Sequence, residues 1–291
     1  MVYTGRFAPS PTGPLHFGSL LAALASYLDA RSHNGQWLVR IEDLDTPRVV
    51  KGATDSILNT LEQFGFEWHG PVIRQSDRLP IYHDILSQLI DNHLAYPCHC
   101  SRQQIFDRTG GRRYDGYCRT HPPKNSSDCA IRSHCEQRYP FDDLIQGHQP
   151  ANDPTEDFVI FRRDGFFAYQ LAVTIDDAEQ QINHIVRGSD LLDSTPKQIH
   201  LQQQLGYPQP IYAHIPVATN VQGQKLSKQT LAPALDHQQA RQQMIQALRF
   251  LGQQPVVELY DCRLEECLNW AIEHWDITAI PSQMSIVLET N

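Results

Sequence analysis

Several groups of side chains in this sequence are spaced for chemistry. His16 lies in Arg6-Phe-Ala-Pro-Ser-Pro-Thr-Gly-Pro-Leu-His-Phe-Gly-Ser19, which reads as a strand breaking into a stiff loop and then entering a helix. Pro9, Pro11 and Pro14 hold the loop extended, because each fixes φ and restricts the residue before it. Gly13 and Gly18 permit tight backbone and close approach of a ligand, and Ser19 is the expected helix cap. A helix N-terminus favours phosphate, with His16 beside it as a donor. Far along the chain, Lys225-Leu-Ser-Lys228 follows Val221-Gln-Gly223 and puts two cations on one flexible loop. Cys98-His-Cys100 and Cys118 could clamp one metal ion. Zinc wants a fourth ligand, for which His121 or Cys129 are candidates on chemistry alone.

The elements that must position these groups alternate strand and helix. Leu20, Leu21, Leu24, Tyr27 and Leu28 share one face of a first helix, and His33-Asn34-Gly35 stops it. Gln36–Ile41 reads as a buried strand ending in Glu42, Asp43 and Asp45, where open parallel sheets bind ligands. Asp43 and Asp45 are expected to cap the next helix. Helical patterns follow at about 51–65 and 78–93. From about 95 to 155 the periodicity fades into Cys, Arg, Pro, Gly and Asp, a candidate insertion between the halves of a nucleotide-binding sheet. The sheet is expected to resume at residues 157–161 and to continue through His184–Leu192 and Ile211–Ala218. A helix with Thr195 as N-cap and Gly206 past its end lies between the last two. Helices are expected at Leu235–Leu251 and Leu264–Trp275. The division is residues 1–95 and 187–235 for the two halves of the catalytic domain, 96–186 for the insertion and 236–291 for a short helical region.

The chain has 291 residues, 41% of them hydrophobic, with a net charge of −9. That fits a globular protein and argues against indiscriminate nucleic-acid binding. Residues 98–140 nevertheless hold eight Lys/Arg against four acids, a local +4 with −13 elsewhere. Such a stretch suits a confined RNA contact, or a solvated loop region. Seven cysteines, three of them between 98 and 118, suit metal binding better than a disulfide framework. Cys129, Cys135, Cys262 and Cys267 read as ordinary thiols. The longest apolar run, Leu20–Ala25, is far short of the roughly 20 residues that span a bilayer. No basic segment leads into an apolar one at the N-terminus. A cytoplasmic enzyme, acting as a monomer, is expected.

Together, the His16-Phe-Gly18 and Lys225-Leu-Ser-Lys228 stretches resemble the two signatures of class I aminoacyl-tRNA synthetases. Arg6-Phe-Ala-Pro-Ser-Pro-Thr-Gly and Arg40-Ile-Glu-Asp-Leu-Asp45 resemble the glutamyl branch. The resemblance covers about the first 235 residues and implies a Rossmann-type parallel sheet with a zinc-containing α/β insertion. It implies ATP binding by His16, Gly18 and Lys228, with His16, Lys225 and Lys228 stabilising charge on the phosphates and Mg²⁺ accompanying ATP. It assigns Arg6, Ala8, Ser10, Glu42, Tyr169 and Arg187 to the glutamate pocket, Glu42 meeting the α-ammonium. An arginine suits the side-chain carboxylate because its fork matches that group. It also replaces the generic fourth metal ligand by Tyr114, beside Cys98, Cys100 and Cys118.

Two departures stand out. The lysine loop ends in Gln229, and only 63 residues follow Lys228, too few for the large anticodon-binding region of full-length glutamyl-tRNA synthetases. A free-standing core with this insertion is similar to the glutamyl-queuosine tRNA(Asp) synthetase family. That resemblance implies tRNA-independent activation of L-glutamate and its transfer to queuosine in the anticodon loop of tRNA(Asp). A minimal synthetase charging a tRNA 3′ end, or a small-molecule adenylate-forming ligase, are the competing expectations.

Overall fold

The computed structural model describes residues 2–111, 113–125, 127–151, 156–226 and 233–288. Lys228, assigned above to ATP binding and catalysis, lies outside them, as does Arg112.

Strand β1 (Thr4–Phe7), helix α1 (Phe17–Ser32) and strand β2 (Gln36–Ile41) form the first parallel unit, with Gly5 opposite Trp37 and Phe7 opposite Val39. Helix α2 (Ala53–Gln63) returns the chain to the short strand β3 (Ile73–Arg74), parallel to β2. Helix α3 (Leu79–Asp91) then leads away from this sheet. Apart from Gly35 and His33, which close the first helix as expected, α1 is capped differently from the expectation. It starts at Phe17, so Ser19 is inside its first turn, and His16 is the cap residue, accepting the Ser19 N–H on its ring.

Strands β4 (Ala95–Cys98), β5 (Ala130–Ser133) and β8 (Val159–Phe161) form a separate antiparallel sheet in the order β4-β5-β8. Helices α4 (Arg102–Thr109) and α5 (Tyr117–Thr120) lie between β4 and β5. Residues 157–161 therefore do not resume the main sheet. An isolated apolar run cannot reveal its partner, and here backbone pairing with Ile131 and Arg132 decides it.

Two short strands from the same stretch, β6 (Phe141–Asp143) and β7 (Gly147–Gln149), form a hairpin that does join the main body. Helix α6 (Tyr169–Glu179) follows, then β9 (His184–Gly188), α7 (Thr195–Leu205) and β10 (Ile211–Ile215). α7 begins one residue earlier than expected, with Ser194 at the N-cap and Pro196 in the first turn, and Gly206 ends it in the left-handed region. The second sheet runs β7-β6-β10-β9, with β10 parallel to both β6 and β9. Asn183, just before β9, donates its amide to Thr4 O at 3.1 Å and accepts the Thr4 N–H at 2.8 Å. That places β1 beside β9, and the strands follow the doubly wound order β3-β2-β1-β9-β10-β6. Order reverses between β1 and β9, where such sheets open a crevice beyond their strand ends. β9 lies across the expected division at 186/187, and β6 belongs by sequence to the insertion but by pairing to the sheet.

Strand β11 (Val217–Thr219), helices α8 (Ala240–Phe250) and α9 (Leu264–Glu273) and strand β12 (Ser285–Val287) complete the described elements; β12 pairs parallel with β11. Met244, Leu248, Cys267 and Leu268 join Leu20, Leu24 and Leu28 of α1 in one core with Trp37 and Ile41. Asp29, buried on α1, accepts the Tyr3 hydroxyl and the Trp275 indole N–H, tying the C-terminal region to the first strand. Among the described residues, no helix is long and apolar enough to cross a membrane.

Candidate active site

A cavity of about 1030 Å³ opens beyond the C-terminal ends of β1, β2, β9 and β10. Arg6, Ala8, Ser10, His16, Gly18, Glu42, Tyr169, Arg187 and Lys225 all line it. These come from positions 6 to 225, and the strand order brings them together.

One end of the cavity is built from the opening loop. Gly13 has φ 136°, which disfavours residues with a Cβ. A Cβ on Gly18 would meet the His16 ring at 3.1 Å and Leu226 O at 3.2 Å, so any side chain here would have to push these neighbours back slightly. His16 Nδ1 lies 3.3 Å from the Ser19 amide and accepts its N–H. In the neutral ring the proton is then on Nε2, making that nitrogen a donor. The described residues on either side of 227–232 border the same segment. Leu226 donates to Ala218 O, Leu235 to Leu15 O, and Ala234 bridges to His16. Lys225 Nζ lies 2.6 Å from Asp190 Oδ2, with both side chains partly exposed.

The opposite end carries a buried charge network. Arg187, on β9, donates from Nε to His214 Nε2 at 3.0 Å, from Nη2 to Thr195 Oγ1 at 2.8 Å and from Nη1 to Tyr169 Oη at 3.4 Å. Arg6 is equally buried, but Asp177 takes its Nε at 3.1 Å and its Nη2 at 3.4 Å. Arg40, wholly buried in β2, binds Glu42 Oε1 at 3.2 Å and Asp177 Oδ1 at 2.8 Å. Burial raises the Glu42 pKa, and Arg40 and Arg6 oppose that rise. Burial likewise pushes Asp177 up, but Arg6 and Arg40 outweigh it and hold the carboxyl below its usual range. The result is a cavity with a guanidinium and a phenol at one place and a fixed carboxylate at another. That pattern is complementary to a molecule that carries an anionic group and a cationic one.

Asp45 stands at the N-cap position of a short 3₁₀ turn, Thr46–Arg48, without a side-chain cap bond, and Asp43 caps no helix. Asp43 accepts the Ser76 N–H at 2.8 Å and its hydroxyl at 2.7 Å, fastening β2 to the turn after β3. Asp45 faces Arg48 and Arg162 at 3.7 and 3.8 Å. Asp143, His214, Asp177 and Asp190 do not stand out in the sequence, because each acts through a partner remote along the chain; Thr195, expected only as a helix cap, meets Arg187 from the same stretch of chain.

In the insertion, the sulfurs of Cys98, Cys100 and Cys118 lie within 4.8 Å of one another. Cys100 Sγ is 3.5 Å from Cys118 Sγ, and Tyr114 Oη is 3.5 Å from Cys98 Sγ. A tetrahedral zinc site requires about 3.8 Å between sulfurs and about 3.6 Å from sulfur to oxygen, by its bond lengths. The donor set therefore fits. The Tyr114 oxygen also accepts the Cys118 N–H at 2.8 Å, but burial and the neighbouring thiols outweigh that bond and push the phenol pKa up without a metal ion beside it. His121 stacks on Tyr117, and the Cys129 thiol turns to Asn125 O, so neither joins the cluster. Part of the basic stretch is spent here. Arg108 reaches Cys100 Sγ and Arg132 reaches Cys98 Sγ, each at 3.3 Å, with Arg132 also 3.8 Å over the Tyr114 ring. Arg119 is paired with the buried Asp157.

Residues 2–269 match the model of the catalytic domain of class I tRNA synthetases (E and Q). The chain belongs to this family. Within it, proteins named glutamyl-Q tRNA(Asp) synthetase are about half identical to it over nearly their whole length. That of Aromatoleum aromaticum is 51% identical, covering 97% of this chain and 91% of the relative. That of Pseudomonas aeruginosa LESB58 is 52% identical, covering 96% and 95%. A crystal structure of glutamate-tRNA synthetase from Elizabethkingia anophelis superposes with a TM-score of 0.81 at 25% identity, covering 99% of this chain and 68% of that one. The fold is thus that of the class I glutamyl branch, and the protein is a ligase of the glutamyl-Q tRNA(Asp) synthetase group.

Proposed function

We propose that the chain joins L-glutamate to ATP, forming glutamyl-adenylate without tRNA, and then transfers glutamate to queuosine in the anticodon loop of tRNA(Asp). The observation that carries this reading is the single cavity holding both the Arg187–Tyr169–Glu42 group and the His16–Gly18–Lys225 group. The glutamate α-carboxylate attacks the α-phosphorus and pyrophosphate leaves. It is already a nucleophile, so the protein's task is to place donors where charge builds on the phosphate oxygens. His16, Lys225 and Lys228 serve that task, with Mg²⁺ carried in by ATP. Arg187 and Tyr169 receive the side-chain carboxylate and Glu42 the α-ammonium; Arg6, Ala8 and Ser10 complete the wall. In the second step a cyclopentenediol hydroxyl of queuosine attacks the adenylate carbonyl and AMP leaves. The names of the half-identical relatives support this acceptor.

Cys98, Cys100, Tyr114 and Cys118 hold one structural zinc ion, which supplies cross-linking of the insertion and no chemistry in the cavity. The division into a two-part catalytic domain, an insertion that contacts tRNA and a helical C-terminal region belongs to the same proposal, as does action as a cytoplasmic monomer. Glutamate-dependent exchange of label between pyrophosphate and ATP, measured without tRNA, tests the first step. No exchange with any tRNA-free mixture overturns tRNA-independent activation.

A further inference from the structure

Behind Arg187 stands a second layer of polar side chains that do not themselves line the cavity. His214, on β10, is wholly buried, with Nδ1 2.6 Å from Asp143 Oδ2 and Nε2 3.0 Å from Arg187 Nε. A guanidinium N–H only donates, so Nε2 is the acceptor and Nδ1 carries the proton that it gives to Asp143. The other carboxylate oxygen, Oδ1, accepts three backbone N–H groups, from Ile145 at 3.0 Å, Gln146 at 2.8 Å and His214 at 3.1 Å. Asp143 is therefore fixed in rotation and fixes the ring. Thr195 Oγ1 takes Nη2 of the same guanidinium at 2.8 Å, which leaves Nη1 beside the cavity-lining Tyr169.

We propose that Asp143 and His214 are positioning residues for recognition of the substrate's side-chain carboxylate: Asp143 imposes the Nδ1–H tautomer, and His214 Nε2 then holds the Nε edge of Arg187 so that Nη1 faces the substrate. The inference rests on Arg187 receiving the glutamate side chain, as proposed above. It gives the hairpin of β6 and β7 a role, since that hairpin carries Asp143 from the inserted stretch to the amino-acid end of the cavity. A neutral imidazole is the suitable partner here. It accepts from the arginine without neutralising it, whereas a carboxylate in its place would compete with the substrate for the same cation.

Asp143→Asn is the decisive variant because it keeps the shape of the side chain. Three backbone donors hold the amide oxygen at the Oδ1 position, so the amide NH₂ faces His214 Nδ1. The ring must then accept at Nδ1 and carry its proton on Nε2, where it no longer accepts the Arg187 N–H and can only donate to Thr195 Oγ1, 3.2 Å away. The expected result in tRNA-free exchange is a KM for glutamate raised about 10-fold or more, with kcat and the KM for ATP within about twofold. In a His214→Gln background, where no tautomer exists, Asp143→Asn should add less than about twofold. An unchanged KM for glutamate overturns the proposal. So does an equal loss in kcat and in the KM for ATP, or the same factor in both backgrounds. His214→Gln against His214→Leu gives a second comparison: the glutamine oxygen can replace Nε2, so its KM should be the lower, and equal values overturn the proposal. If the wild-type chain shows no glutamate-dependent exchange, the proposed substrate fails instead, and the two failures are told apart.

Discussion

His16 caps the helix that it introduces: its Nδ1 accepts the Ser19 amide at 3.3 Å, and the ring proton is thereby assigned to Nε2. One side chain thus holds the start of α1 in place and presents a donor to the cavity. The two roles separate by substitution. His16→Asn keeps a side-chain oxygen for the cap, so its melting temperature should match wild type, while kcat for glutamate-dependent exchange falls about 10²–10³-fold. His16→Ala should lose the same activity and also about 1 kcal/mol of stability. Thermal melts and exchange kinetics on the two variants check this.

Lys225 pairs with Asp190 at 2.6 Å, but both side chains are partly exposed. Such a pair contributes at most about 1 kcal/mol to stability. Lys225→Ala should therefore melt within a few degrees of wild type while losing about 10²-fold in exchange rate. A large drop in melting temperature with activity retained would assign Lys225 to structure alone.

The metal site allows a graded series. Removing a sulfur ligand with Cys118→Ser should abolish stoichiometric zinc. Tyr114→Phe keeps the ring under Arg132 and loses only the oxygen, which should weaken zinc retention about 10–100-fold in a chelator competition. Equal retention in Tyr114→Phe and wild type would remove the phenol from the ligand set. Metal content by elemental analysis gives the stoichiometry.

Acid should destabilise the protein in two stages. Burial lowers the pKa of His200 and of His214, and Asp143 only partly offsets it for the latter. The unfolded chain then binds more protons than the folded one below about pH 6.5. Stability from these groups is complete above that value and is lost as pH falls through the folded values. Burial raises Asp157, yet Arg119 and Tyr96 outweigh it and lower the carboxyl. Asp177 behaves alike through Arg6 and Arg40. Their contribution is present above about pH 3.9 and is lost on further acidification. Melting temperature should fall between pH 7 and 5.5 and again below pH 4, and His200→Gln should flatten the first stage.

What the sequence made legible was local or repeated. Gln36–Ile41 is a strand in its whole expected length, and the helices at α2, α3, α8 and α9 fall within the expected patterns, because apolar periodicity reports burial directly. The cavity-lining residues were legible through motifs, from Arg6 to Lys225. Asp143 was not, since β6 is three residues long and pairs with β10 at a single position, Tyr212. His214 looked like one polar residue in an apolar strand, and its meaning depends on Asp143 and Arg187, 71 and 27 positions away. Ser19 illustrates the opposite error. Its type suits a cap, but the helix starts two residues earlier and a histidine ring takes the role.

Transfer of labelled glutamate distinguishes queuosine from a tRNA 3′ end as the acceptor. Purified tRNA(Asp) with and without queuosine, and tRNA(Glu), are each incubated with the enzyme, ATP and labelled glutamate. Label is expected on queuosine-containing tRNA(Asp) alone, and is expected to be lost in Lys228→Ala. Label on the 3′ adenosine of tRNA(Glu) would contradict it and mark a minimal glutamyl-tRNA synthetase instead.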